Sequence, residues 1–170
     1  MKNIILVGMP GAGKSTLGVM LAKKIGYGYI DSDSVIVARE GKLLCDLISE
    51  LGNEGFLDVE AKVNSAICAS RCVIATGGSA IYRADAISKL KEKGIVVYLK
   101  LSYEDICRRL GDLKTRGVVL KEGFTFRDLY DERVPLYENQ ADYIVALDGC
   151  SMEESVEKIT EAIQCELITD

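Results

Sequence analysis

Residues 8–16 read GMPGAGKST, and the spacing Gly8-x4-Gly13-Lys14-Ser15 suits a bound phosphate chain. Glycines let successive backbone N–H groups turn inward on an anion, and the start of a helix adds the positive end of its dipole. Lys14 can then reach the β- and γ-phosphates of a nucleotide, and the Ser15 hydroxyl can ligate Mg²⁺. The pattern needs a strand before it and a helix after it. The apolar run NIILVG (3–8) and the amphipathic STLGVMLAKKIG supply both.

Other residues could complete the chemistry. Asp31 and Asp33 stand where a second strand, GYIDSD (28–33), is expected to end, the edge at which open α/β sheets hold ligands. Alternation sends them to one side. One could hold Mg²⁺ through water and the other accept a hydroxyl proton, unless one only caps the next helix. ATGGSA (75–80) ends a third strand with Gly77 and Gly78, either a plain turn or a place where a ligand lies on bare backbone. Arg133 shares a helical stripe with Phe126, Leu129, Tyr130 and Tyr137, so it either snorkels outward or binds an anion, and Pro135 should bend that helix. An anion-binding Arg133 would suit a carboxylate-bearing substrate. The glycine-punctuated loop around 111–124 is either solvated surface or a lid that swings Arg116 onto the transferring phosphate and excludes water.

These residues need a scaffold, and the chain alternates strand and helix patterns throughout. At 170 residues and 48% hydrophobic it is about one domain, 1–170, with a real core. Expected strands are 3–8, 28–33, 72–78, 95–101 and 143–147. Helices are expected between them, with capping pairs Ser102/Asp105, Thr125/Asp128 and Ser151/Glu154. The strands are mostly apolar throughout, as in a parallel sheet covered on both faces, so the fold class is three-layer α/β/α. Net charge of −5 gives no footprint for nucleic acid, and no apolar run is long enough to span a membrane. The first strand is expected to leave no room for a signal peptide, which implies a cytoplasmic protein. Six scattered cysteines read as small buried hydrophobes kept reduced. The absence of histidine removes Ser-His and Cys-His chemistry. GTPase strings such as D-x-x-G and N-K-x-D do not occur, and Asp148 after the last strand reads as a loop residue, not a motor ATPase acid. A small-molecule kinase remains.

The set resembles the shikimate kinases over residues 3 to about 147: the phosphate loop, Asp31 and Asp33, TGG at 76–78, Arg116, and RVPLY at 133–137. The resemblance implies sheet order 2-3-1-4-5 and the nucleoside-monophosphate-kinase fold with a lid. It implies that Gly11, Ala12, Gly13, Lys14, Ser15 and Thr16 bind ATP, with Arg109 against the adenine and Arg116 reaching the phosphates. Ser15 and Asp31 would serve Mg²⁺, and Asp33, Gly77, Gly78 and Arg133 would hold shikimate. Lys14, Asp33 and Arg116 would be catalytic, in a step of aromatic amino acid biosynthesis, and a monomer is expected. Three departures stand out: Ser79 where the family has a third glycine, Gly117 where a proline follows the lid arginine, and Leu57 where a carboxylate-binding arginine is usual. Glu60, which in the family sits close to that arginine, remains. Arg71 or Arg83 could compensate from the strand-three side. Shikimate is the leading acceptor. The rivals are another small hydroxy acid, a hydroxy amino acid whose ammonium pairs with Glu60, and a nucleotide-binding regulator with no acceptor.

Overall fold

All five residues of β1, Asn3–Val7, are buried. Strand side chains alternate between two faces, so full burial means that layers cover both. The computed structural model describes residues 2–110, 121 and 123–168. Its five strands form one parallel sheet in the order β2-β3-β1-β4-β5, with β2 at Gly28–Asp31, β3 at Cys72–Ala75, β4 at Gly94–Lys100 and β5 at Tyr143–Ala146. The central strands β1, β3 and β4 are almost wholly buried, whereas the edge strands β2 and β5 are half exposed. This is the three-layer α/β/α architecture, in the order that the resemblance implied.

Parallel strands need crossover helices. α1 (Lys14–Ile25) turns its Leu17, Gly18, Leu21 and Ala22 inward and ends at Gly26, whose positive φ of 69° glycine adopts freely. α2 (Ser32–Glu40) and α3 (Leu44–Ala66) follow β2, and Gly52, at φ 68° and ψ 176°, breaks α3 internally. A 3₁₀ turn at Ala80–Tyr82, α4 (Ala84–Lys91), α5 (Tyr103–Leu110), α6 (Phe126–Gln140), α7 (Met152–Ala162) and α8 (Gln164–Ile168) complete the order. α6 runs through Pro135. One large core fills the sheet layers, and a small second cluster, Ile36, Leu47, Phe56 and Val63, joins α2 to α3 beside the site.

Local signals and the outcome differ in three places. Thr125/Asp128 and Ser151/Glu154 form complete capping boxes, but Ser102/Asp105 forms only half of one. The Ser102 N–H is taken by Asp148 at 2.7 Å, while Asp105 accepts from the Gly149 N–H, so the two acids cross-link α5 to the turn after β5. β2 stops at Asp31, and Asp33 lies in the first turn of α2. Asp31 is the cap, its Oδ1 accepting from the Ser34 N–H at 3.1 Å. The cysteines are free, but none is fully buried: Cys45, Cys68, Cys107 and Cys165 are exposed. Cys72 and Cys150 are half-buried, and Cys72 packs against the large core. Among the described residues, no helix is long and apolar enough to cross a membrane.

Gly18 lets α1 lie close on the sheet. A Cβ there would come within 2.7 Å of Tyr29 Cε2, and Tyr29 in turn holds Asp31. Gly18→Leu should therefore overpack this contact and cost about 1–3 kcal/mol. Thermal unfolding should show the midpoint falling by several degrees.

Candidate active site

The phosphate loop is built by exclusion of side chains. Gly8, Gly11 and Gly13 have φ of 151°, 83° and 89°, and Gly13 is the N-cap of α1 with no side-chain cap. The first N–H groups of α1 are thus left to a ligand. Ala12 is fully buried, and its N–H closes the turn onto the Met9 carbonyl. Lys14 is 9% exposed, and its Nζ donates to the carbonyls of Gly8 at 2.7 Å and Met9 at 2.9 Å. Burial lowers its pKa to about 8, a pull that Asp33 opposes and Arg133 reinforces. Ser15 Oγ donates to Asp31 Oδ2 at 2.8 Å, and Tyr29 Oη donates to the same oxygen at 3.1 Å.

A cleft of about 630 Å³ runs from this loop to the acceptor end. Gly11, Gly13, Lys14, Ser15, Thr16 and Arg109 line it, and so do Asp33, Gly77, Gly78 and Arg133. Asp31 stands behind Ser15, not on the wall. Arg116 and nearly all of the expected lid lie outside the described residues. Most of the sequence-predicted set therefore converges on one space. Arg71 and Arg83 do not join it. Arg83 pairs with Glu54 and Asp58 on the outer side of α3, and Arg71 reaches the Gly26 carbonyl and the Tyr27 ring. Leu57 is 5% exposed and is not a lining residue, so α3 brings no cation to the wall.

At the acceptor end, Tyr82 and Gln140, which sequence spacing did not single out, join residues that it did. Thr76 bonds the Leu6 carbonyl through both its N–H and its Oγ1, tying the end of β3 beside the phosphate loop. Tyr137 Oη donates to the Gly78 carbonyl at 2.5 Å, Gln140 Nε2 to Ile81 at 3.1 Å and Arg133 Nε to Tyr82 Oη at 3.2 Å. α6 is thereby clamped on the turn after β3. Arg133, 1% exposed, lies with its guanidinium 5.0 Å from the Tyr82 ring centre, which helps hold a buried cation. Ser79 Oγ donates to Glu60 Oε2 at 2.8 Å. Met152, at the start of α7, also lines the cleft near Gly13. Its only local signal is the preceding cap, Ser151, which says nothing about a site over a hundred residues back in the chain.

Electrostatics separate the two ends. Asp33 is raised above the usual carboxylate range, first by burial and then by Asp31, with Lys14 pulling it back. Glu60 is pushed up to about 7, chiefly by burial. The Ser79 hydrogen bond opposes this, Asp33 adds to it, and Arg133 and Lys14 counter it.

This arrangement has relatives. The family model described as shikimate kinase matches residues 10–164. The chain belongs to the shikimate kinase family. It is 35% identical over 162 residues to the shikimate kinase of Thermodesulfovibrio yellowstonii, covering 94% of this chain and 93% of the relative. It is 36% identical over 164 residues to that of Nostoc punctiforme, covering 95% and 90%. Among solved structures, the Acinetobacter baumannii shikimate kinase in complex with shikimate superposes with a TM-score of 0.87 at 33% identity, covering 99% of this chain and 96% of that one. Shikimate kinases are phosphotransferases that draw on ATP, which agrees with a phosphate loop and an acceptor end sharing one cleft.

Gly77 is where that sharing is tightest. A Cβ on it would run into Glu60 Oε1 and come within 2.9 Å of Asp33 Oδ1. Gly77→Ala should displace both carboxylates and cut acceptor-dependent turnover roughly 10- to 100-fold. Nucleotide affinity, measured by titration with a non-hydrolysable ATP analogue, should stay within a few-fold of the natural protein.

Proposed function

We propose that the chain is a shikimate kinase in the functional sense: it transfers the γ-phosphoryl group of ATP to a hydroxyl of shikimate, giving ADP and 3-phosphoshikimate. The observation that carries this reading is the single cleft in which a phosphate loop, a half-buried carboxylate and a buried arginine face one another. Residues 1–170 would act as one domain, monomeric and cytoplasmic. In this reading Lys14 lies along the β- and γ-phosphates and offsets charge that builds on the transferring group. Asp33 orients the attacking hydroxyl or takes its proton, and the loss of a hydration shell already favours protonation at that site. Arg133 receives the acceptor's carboxylate, with Gly77 and Gly78 letting the acceptor rest on the backbone. Arg109 would lie against the adenine, and Arg116 would close over the phosphates.

Ser15 Oγ and Asp31 Oδ2, 2.8 Å apart at the mouth of the loop, are hard oxygen donors that fit Mg²⁺. When bound, Mg²⁺ would be held by Ser15 and Asp31 and would offset part of the phosphate charge. Asp31 is itself fixed by Tyr29 and the Ser34 N–H, so it is set in position before nucleotide arrives.

Lys14→Met should remove transfer while leaving the fold, because the ammonium acts on phosphate charge. A coupled ADP-release assay with ATP and a panel of hydroxylated acids tests the whole reading. Shikimate should trigger ADP release in the natural protein and not in Lys14→Met. ADP release that ignores every acceptor would contradict the reading.

Arg133→Lys keeps a charge but loses the planar fork that matches a carboxylate. A charge-assisted contact is worth roughly 1.5–3 kcal/mol, so the shikimate KM should rise about tenfold or more while the ATP KM holds. Initial-rate kinetics with each substrate varied in turn would measure both.

A further inference from the structure

Glu60 is 1% exposed on α3, yet it is a wall residue of the cleft. Its two oxygens differ. Oε2 accepts from Ser79 Oγ, and Oε1 is buried with no hydrogen-bond partner among the described residues. Oε1 points at the bare backbone of Gly77, on the spot that Asp33 Oδ1 also approaches. A buried polar atom left without a partner costs free energy, so one aimed into a binding cleft implies that a ligand atom meets it.

The groups facing Glu60 decide what that atom can be. Asp33 comes from α2, Lys14 from the phosphate loop, Arg133 and Tyr137 from α6, and Ser79 from the turn after β3. One turn back on α3, Leu57 adds no charge. Two carboxylates converging over one glycine cannot comfortably both be ionised. Asp33 is needed as a carboxylate to take or orient the hydroxyl proton, which leaves Glu60 to hold the proton of the pair.

We propose that Glu60 is a specificity-determining residue of the acceptor site, a neutral carboxyl whose Oε1 hydrogen-bonds an oxygen of an anionic hydroxy acid and which turns that acceptor away once it ionises. The inference rests on the shikimate reading and adds to it the protonation state in which the acceptor is admitted. As a neutral donor, Glu60 can serve a hydroxyl or a carboxylate oxygen close to Arg133. As an anion, it sets a second negative charge against the acceptor in a site that water does not screen. The same anion would welcome an ammonium, so the residue also separates hydroxy acids from hydroxy amino acids.

The test is the shikimate KM between pH 6 and 9 at saturating ATP. Shikimate's own carboxyl is ionised throughout that range. In the natural protein the KM should be flat in acid and climb about tenfold per pH unit above the Glu60 break near 7, with kcat changing much less. Glu60→Gln keeps an oxygen for Ser79 and presents a permanent donor at the other position, so that climb should vanish. Lys14 titrates in both proteins, and the difference between the two profiles isolates Glu60. Ser79→Ala removes a bond that favours the ionised form, so its break should move to higher pH. A flat natural profile, or a climb that persists unchanged in Glu60→Gln, would overturn the inference while leaving the kinase reading intact. No shikimate turnover at any pH would overturn both. Turnover of L-serine or L-homoserine that rivals that of shikimate at pH 6, below the Glu60 break, would show Glu60 acting as an anion where the inference has it neutral, and that too would overturn the inference.

Discussion

The Lys14 ammonium, buried and held by the Gly8 and Met9 carbonyls, is the interaction around which the rest of the molecule is arranged. A buried cation is costly unless its donors are satisfied, and here the loop's own backbone satisfies two of them. That requires the loop to fold back over the end of β1, which requires glycines at positive φ. It also requires β1 to be fixed from both sides. The complete burial of β1 between β3 and β4, and of α1 against the sheet at Gly18, supplies that rigidity. The sheet serves as the mount for one ammonium.

Charge balance organises the other end of the cleft. Lys14 and Arg133 are the buried cations, with Asp33 and Glu60 the acids between them. Both cations have neutral partners, backbone carbonyls for Lys14 and Tyr82 for Arg133, while Ser79 anchors Glu60. Neutral anchors hold a charged side chain in place without cancelling it, so its field remains available to a phosphate or a carboxylate. The clamp of α6 on the turn after β3, through Tyr137 and Gln140, keeps the two ends in register.

Much of this could be read in the chain. The phosphate loop was legible because glycine spacing, strand and helix must coincide within a dozen residues. The central strands β1, β3 and β4 were legible because burial on both faces leaves an unbroken apolar run. Asp33 was placed on the wrong element, since GYIDSD continues strand-like past the point where Asp31 caps α2. The neutral anchors were harder still. Tyr82, Ser79 and Gln140 are ordinary polar residues whose roles come from long-range packing, and Met152 reaches the cleft only because α7 returns beside α1. Cysteine burial was misjudged because a small side chain suits a surface as readily as a core.

The central claim is that one cleft passes phosphate to an acceptor and does not release it to water. Phosphorus NMR of the protein with ATP, Mg²⁺ and shikimate reads this directly. A new phosphomonoester resonance should grow in step with ADP, with little inorganic phosphate. Growth of inorganic phosphate with no phosphomonoester would contradict the account.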